Sequence, residues 1–229
     1  MTTYRQLVYL ILDELKLVSD DTIFTEDHII LLLNKYRAFL LKQRYSDIRK
    51  EIPNNNYQTL CLTLEEHEGT EGFPCEGLYM RSIEKIPDII NIGHPKAHPK
   101  DYFNGEITYV NIDRFQYTGN NKWLKNIIYV TRGTDSHLYI KSSNPQIYYM
   151  EEIRFTAVFS DTEEASELEC KESEHCDILD KDFPIEDALI SPLVELVFKE
   201  LSGSIYKPQD DMNNAKDDLS DLASSNLQK

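Results

Sequence analysis

The 229-residue chain sets 24 Lys and Arg against 40 Asp and Glu, a formal net charge of −16, and that field opposes sequence-specific binding to nucleic-acid phosphates. Its apolar fraction of 41% counts 14 Tyr; exchanging these for the 8 Gly leaves about 38%, below the ~45–50% of ordinary globular domains, so part of the chain is expected to be extended or completed by neighbours. Four cysteines, Cys61, Cys75, Cys170 and Cys176, are too few and too scattered for a small disulfide scaffold and point to folding in a reducing, cytosolic setting.

Thr3 and Gln6 form a capping box for a first helix that carries Leu7, Leu10, Ile11 and Leu15 and ends at Ser19-Asp20-Asp21. A second helix runs from the N-cap Thr25 to Gln43. Glu26 and Asp27 sit in its first turn, where the helix dipole favours them, and Ile29, Leu32, Leu33, Tyr36 and Leu40 share one face. Leu31, Phe39 and Leu41 widen that face beyond a narrow stripe, so the helix needs partners on more than one side. The short connection predicts an antiparallel helix pair.

After Pro53-Asn54-Asn55-Asn56 the period changes to two, with Leu60, Leu62 and Leu64 alternating against Thr59, Cys61 and Thr63 as in a half-buried strand. Residues 77–83 read as a second strand, 92–105 as loop, 107–110 as a short strand, and 111–117 as a short helix closed by Gly119. Runs 126–132 and 137–141 flank Gly133-Thr134-Asp135-Ser136 as a hairpin, and 146–159, with Ile153, Phe155, Ala157 and Phe159 on one face, reads as the third strand of a meander.

Residues 160–182 hold ten acids against two lysines, half of the chain's net charge, which reads as a solvated run. Order resumes at Phe183-Pro184: residues 185–190 start a helix, and Ser191-Pro192 supplies an N-cap and N1 pair for Leu193, Val194, Leu196, Val197 and Leu201. A weak last helix carries Met212, Ala215, Leu219 and Leu222. The expected fold is α+β, a discontinuous helical bundle from the N- and C-terminal helices with an antiparallel β insertion in the middle. Its parts are a helical hairpin over 1–52, the β insertion over 57–160, an acidic linker over 161–182, and C-terminal helices over 183–229 that pack on 1–52.

The motifs that carry chemistry are weak. The apolar centre near the N-terminus is about six residues long, short of a signal peptide or of the roughly 18 residues a spanning helix needs, so no membrane partner is expected. His94-x-x-x-His98 has helical zinc spacing, but Pro95 and Pro99 oppose a helix and the Glu of a metalloprotease motif is missing. Cys170 and Cys176, beside His175, lie among acids that disfavour a reactive thiolate and read as free thiols, while Cys61 and Cys75 read as small packing residues. Nucleophile-elbow, P-loop, dinucleotide and HExxH patterns are absent from the sequence, so neither an enzyme nor a cofactor is expected, and no catalytic, cofactor, metal or interface residue is assigned. Ile147-Tyr148-Tyr149 reads as sheet core or subunit contact.

Three stretches resemble the head-to-tail connector, or neck ring, proteins of tailed bacteriophages, above all those of crAss-like phages. The opening TYRQLVYLILDEL with TEDHIILLLNKYRAFLLKQRY resembles the paired N-terminal helices of such portal adaptors; Cys75 to Ser82 with Ile86-Pro87 resembles a strand-to-turn segment; Phe183-Pro184 with Pro208-x-Asp210 and Asn213-Asn214-Ala215 resembles the family's ending. The resemblance implies a structural virion protein, made in the bacterial cytoplasm, that forms a ring of about twelve-fold symmetry in the neck. That ring joins the portal and other neck or tail rings and passes double-stranded DNA without sequence-specific binding. The alternatives are a metal-dependent hydrolase using acidic residues with His94 and His98, and an intracellular scaffold outside any virion.

Overall fold

The computed structural model describes residues 2–17, 24–47, 50–69, 77–90, 95–99, 106–119, 121, 123–124, 126–170 and 177–204. Its longest strand, β1 (Gln58–Gly69), organises a seven-stranded sheet with β2 (Gly77–Ser82), β3 (Lys96–Pro99), β4 (Glu106–Tyr109), β5 (Ile127–Arg132), β6 (Leu138–Lys141) and β7 (Glu152–Ala157). The order is β3-β7-β1-β2-β6-β5-β4, and the edge strands β3 and β4 lie against each other, so the sheet curls into a nearly closed barrel. Curling of this kind removes the unpaired edges that an open sheet exposes.

β1 reaches across two neighbours. Residues Gln58–Thr63 pair with β7, and Leu64–Gly69 pair with β2. The period-two pattern puts Leu60, Leu62 and Leu64 inside, where they meet Ile128, Val130, Leu138, Ile140, Ile153 and Phe155 in one apolar core. The β5–β6 turn closes on Ser136 at φ 70°.

Helices cover one end of the barrel. The capping box of α1 (Tyr4–Lys16) is present: the Thr3 hydroxyl accepts from the Gln6 N–H, and the Gln6 side chain accepts from the Thr3 N–H at 3.2 Å. In α2 (Glu26–Arg44) the Thr25 side chain accepts from the His28 N–H. Leu7, Ile11 and Leu15 of α1, Ile29, Leu33 and Leu41 of α2, and Leu193, Val197 and Leu201 of α5 (Asp187–Ser204) share a second apolar core.

The expected architecture is therefore corrected. Among the described residues the body is the nearly closed barrel, with few helices around it, and not a helical bundle carrying an antiparallel insertion; the last helix expected around Met212 to Leu222 lies outside the described residues. β4 and β5 pair in parallel, which requires a crossover, here supplied by residues 110–126 with the short helix α3 (Ile112–Phe115). The run expected as the third strand of a meander splits: Pro145–Tyr149 form a 3-10 turn, and β7 crosses to β1 and β3 instead of pairing with β6. β3 lies within the segment expected to be loop; Pro99 is tolerated there because β3 is an edge strand. α5 runs unbroken from Asp187 with Pro192 inside it, so Ser191 is not its cap.

Tyr4 joins this helical end to the sheet side. Its hydroxyl, buried, donates to Thr162 Oγ1 at 2.5 Å, Thr162 donates to Asn34 Oδ1, and Asn34 Nδ2 donates to Asp161 Oδ1 at 3.3 Å. Burial pushes the Tyr4 phenol well above its ordinary value, so it stays a donor. Tyr4→Phe removes that donor without opening a cavity, and urea unfolding is expected to show a loss of about 1 kcal/mol.

Candidate assembly surfaces

Arg37 is the hinge pin between helices and barrel. It falls four residues after Leu33 and four before Leu41, on the apolar face of α2, and it is fully buried. Three backbone carbonyls receive its guanidinium: Nε donates to Pro184 O at 2.6 Å, Nη1 to Phe159 O at 2.7 Å and Nη2 to Asn56 O at 3.0 Å. These carbonyls belong to the lead-in to β1, the exit from β7 and the approach to α5, so a single side chain registers three chain crossings. Burial lowers its pKa to about 10, which leaves it charged at neutral pH. Next to it the buried Glu186 accepts from Tyr45 Oη at 2.8 Å and pairs with Arg44 Nε at 2.8 Å.

The acidic run begins as structure. Asp161 caps α4 (Thr162–Glu167) by accepting from the Glu163 and Glu164 N–H groups, and Thr162, Ala165 and Ser166 are buried. Burial and then the neighbouring acids Asp161, Asp27, Glu167 and Glu164 raise the Glu163 pKa. Glu169 bridges Leu60, and the next residue, Cys170, forms a disulfide with Cys61 across 109 residues at a Cα separation of 4.9 Å. This pairing corrects the reading of Cys170 as a free thiol and of Cys61 as a packing residue, and the cysteines no longer argue for a reducing site of folding. Cys75, His175 and Cys176 lie outside the described residues.

Two surfaces stand at opposite ends of the barrel. The first is the crossover from β4 to β5, where Tyr117 is 78% and Trp123 82% exposed, with Leu124 half-exposed beside them. Its base is built: Phe115 is buried, Thr118 Oγ1 donates to Phe115 O at 2.7 Å, Ser143 Oγ donates to Asn121 O at 3.1 Å, and Gly119 turns at φ +74° against Lys141. The second is a groove of about 520 Å³ between α1 and α5, floored by Leu10, Ile190, Val194 and Phe198. Glu14, Asp187 and Glu195 rim it.

Of the residues weighed from sequence, His98 stands in extended β3, opposite Arg154 in the register, so it does not sit on a helix with a second imidazole one turn away. His94 lies outside the described residues. Ile147 is core, Tyr148 is half-buried and Tyr149 is 83% exposed on the 3-10 turn. Among the described residues no His, Cys, Asp and Glu group has metal-binding geometry, and no helix is long and apolar enough to cross a membrane. The crossover tip and the Arg37 junction were not singled out from sequence; a lone Arg at Leu33 and Leu41 spacing was the available sign of the junction.

Comparison with known proteins decides the family. Residues 6–219 match the model of a crAss-like phage family described as phage tail ring protein 2. The chain belongs to this family. It is also 54% identical over 222 residues to Ring protein 2 of Bacteroides phage crAss001, covering 96% of the chain and 99% of that relative. The ring-protein resemblance read from the N-terminal helices, the strand-to-turn segment and the C-terminal helix is thereby established, and with it a structural role in a phage particle. For a ring protein the relevant surfaces are those that meet other copies, and the crossover tip and the α1–α5 groove are the apolar ones described at the two ends of the barrel.

Proposed function

We propose that this chain forms a closed ring in the neck of the particle, between portal and tail, through which the double-stranded genome passes. The observation that carries the proposal is family membership across residues 6–219. The charge supports it: a net −16 suits the wall of a channel whose cargo must slide without sticking, because like charge disfavours phosphate contact. Symmetry supports it too, since a closed ring needs two different surfaces on each copy, and an apolar knob and an apolar groove at opposite ends provide them. About twelve copies is the number the family resemblance implies. Catalysis has no part in this role, and the chain is proposed to work without cofactor.

Mass photometry and negative-stain microscopy of the purified chain, alone and mixed with portal, test the proposal. The expected result is a ring-shaped species of uniform mass in at least one of the two samples. A chain that stays monomeric in both contradicts it.

A further inference from the structure

Taking the ring reading as given, we infer that the crossover tip of one copy, Tyr117, Trp123 and Leu124, seats in the α1–α5 groove of the next copy around the ring.

The tip has the composition of a binding hot spot. Trp and Tyr anchor interfaces because they bring large rigid apolar area at low entropic cost, and here they stand exposed on a braced turn. The Trp123 N–H donates to Asn121 Oδ1 at 3.0 Å and the Leu124 N–H to Asn121 O at 3.0 Å, two local bonds that tie Trp123 and Leu124 to Asn121 and lower the cost of ordering them against a partner. The groove supplies the counterpart: an apolar floor of Leu10, Ile190, Val194 and Phe198 between two helices.

Charge argues that the occupant is another copy. The groove rim is acidic, with Glu14, Asp187 and Glu195. In a chain with a net charge of −16, residues 111–126 are locally basic, holding Arg114, Lys122 and Lys125 against Asp113 alone. A second acidic surface of this chain would be repelled from the rim, whereas the segment bearing Trp123 is attracted to it.

Position argues that the contact is head-to-tail. Asn56, just before β1, lies at the helical end and is held by Arg37, whereas Lys141, against which Gly119 turns, ends β6 opposite the far half of β1. Nine residue steps along β1, from Gln58 to His67, separate the two levels, about 30 Å of extended strand. Knob and groove at opposite ends cannot meet within one copy, and a heterologous contact of this kind closes into a ring when its rotation is a simple fraction of a turn.

The test replaces Trp123 with a photo-crosslinking benzoylphenylalanine in the full chain, mixing isotopically heavy and light copies. Mass photometry follows assembly, with portal where portal is required. After irradiation, peptides joining residue 123 of one isotope to segments 4–16 or 187–204 of the other are expected, and Trp123→Ala is expected to weaken assembly at least tenfold while its melting curve is unchanged. Rings whose crosslinks fall elsewhere, or a Trp123→Ala chain that assembles normally, overturn the contact and leave the ring reading intact. Absence of rings with the unsubstituted chain overturns both.

Discussion

Arg37→Ala is expected to unfold at far lower denaturant than the parent chain, with a loss of roughly 3–5 kcal/mol. Truncation removes three donors at once and strands the carbonyls of Asn56, Phe159 and Pro184 in a buried junction. It also leaves a cavity where the guanidinium filled the space between α2 and the barrel. Arg37→Lys keeps the charge but replaces a planar fork by a point donor, so it restores only part of the loss. Because the Arg37 pKa, lowered to about 10, still lies well above neutral pH, the deficit should be the same from pH 6 to pH 8. Guanidinium titration followed by circular dichroism checks both points, and a midpoint equal to the parent's would show that the junction does not hold the helices to the sheet.

Reduction of the Cys61–Cys170 disulfide should have an effect of similar size. The bond closes a loop of 109 residues, and loop-closure entropy alone makes that worth about 4–5 kcal/mol. A reductant, or the pair Cys61→Ser and Cys170→Ser, should lower the melting temperature by about 8–20 °C, taking about 2–4 °C per kcal/mol for a chain of this size. The bond fastens the end of α4 to β1, so reduction should also expose residues 161–170 to hydrogen exchange before the barrel opens. Peptide mapping without reductant should recover Cys61 linked to Cys170; recovery of both as free thiols would remove the basis of this expectation.

Local signals were readable where they were strong. The Thr3-Gln6 box, the Thr25 cap and the alternation at Leu60, Leu62 and Leu64 each depend on neighbours within a few residues, and each stands as read. What escaped depends on distant partners. The dominance of the sheet was hidden because β1 is one strand by pattern, and only its double pairing, with β7 along one half and β2 along the other, turns separate ribbons into a barrel. β3 carries two prolines and two histidines around four residues and acquires its ladder only from β7. The disulfide was hidden for the same reason: Cys61 has three possible partners by sequence, and the bridge from Leu60 to Glu169 that brings Cys170 to it joins residues 109 apart. Arg37 broke the apolar pattern of its helix, and a charge on a buried face is the kind of local inconsistency that marks a junction. The tip was half legible, since Trp123 and Leu124 sit between lysines in a stretch with no regular period, but its prominence follows from the parallel pairing of β4 and β5, which forces the chain to cross back.

The most direct test of the account is a cryo-electron-microscopy reconstruction of the particle neck. It should show a closed ring of this chain between portal and tail, barrels following one another end to end around it, with the crossover tip of each copy against α1 and α5 of its neighbour. A neck whose rings do not fit the chain, or a chain found as isolated copies elsewhere on the particle, would contradict it.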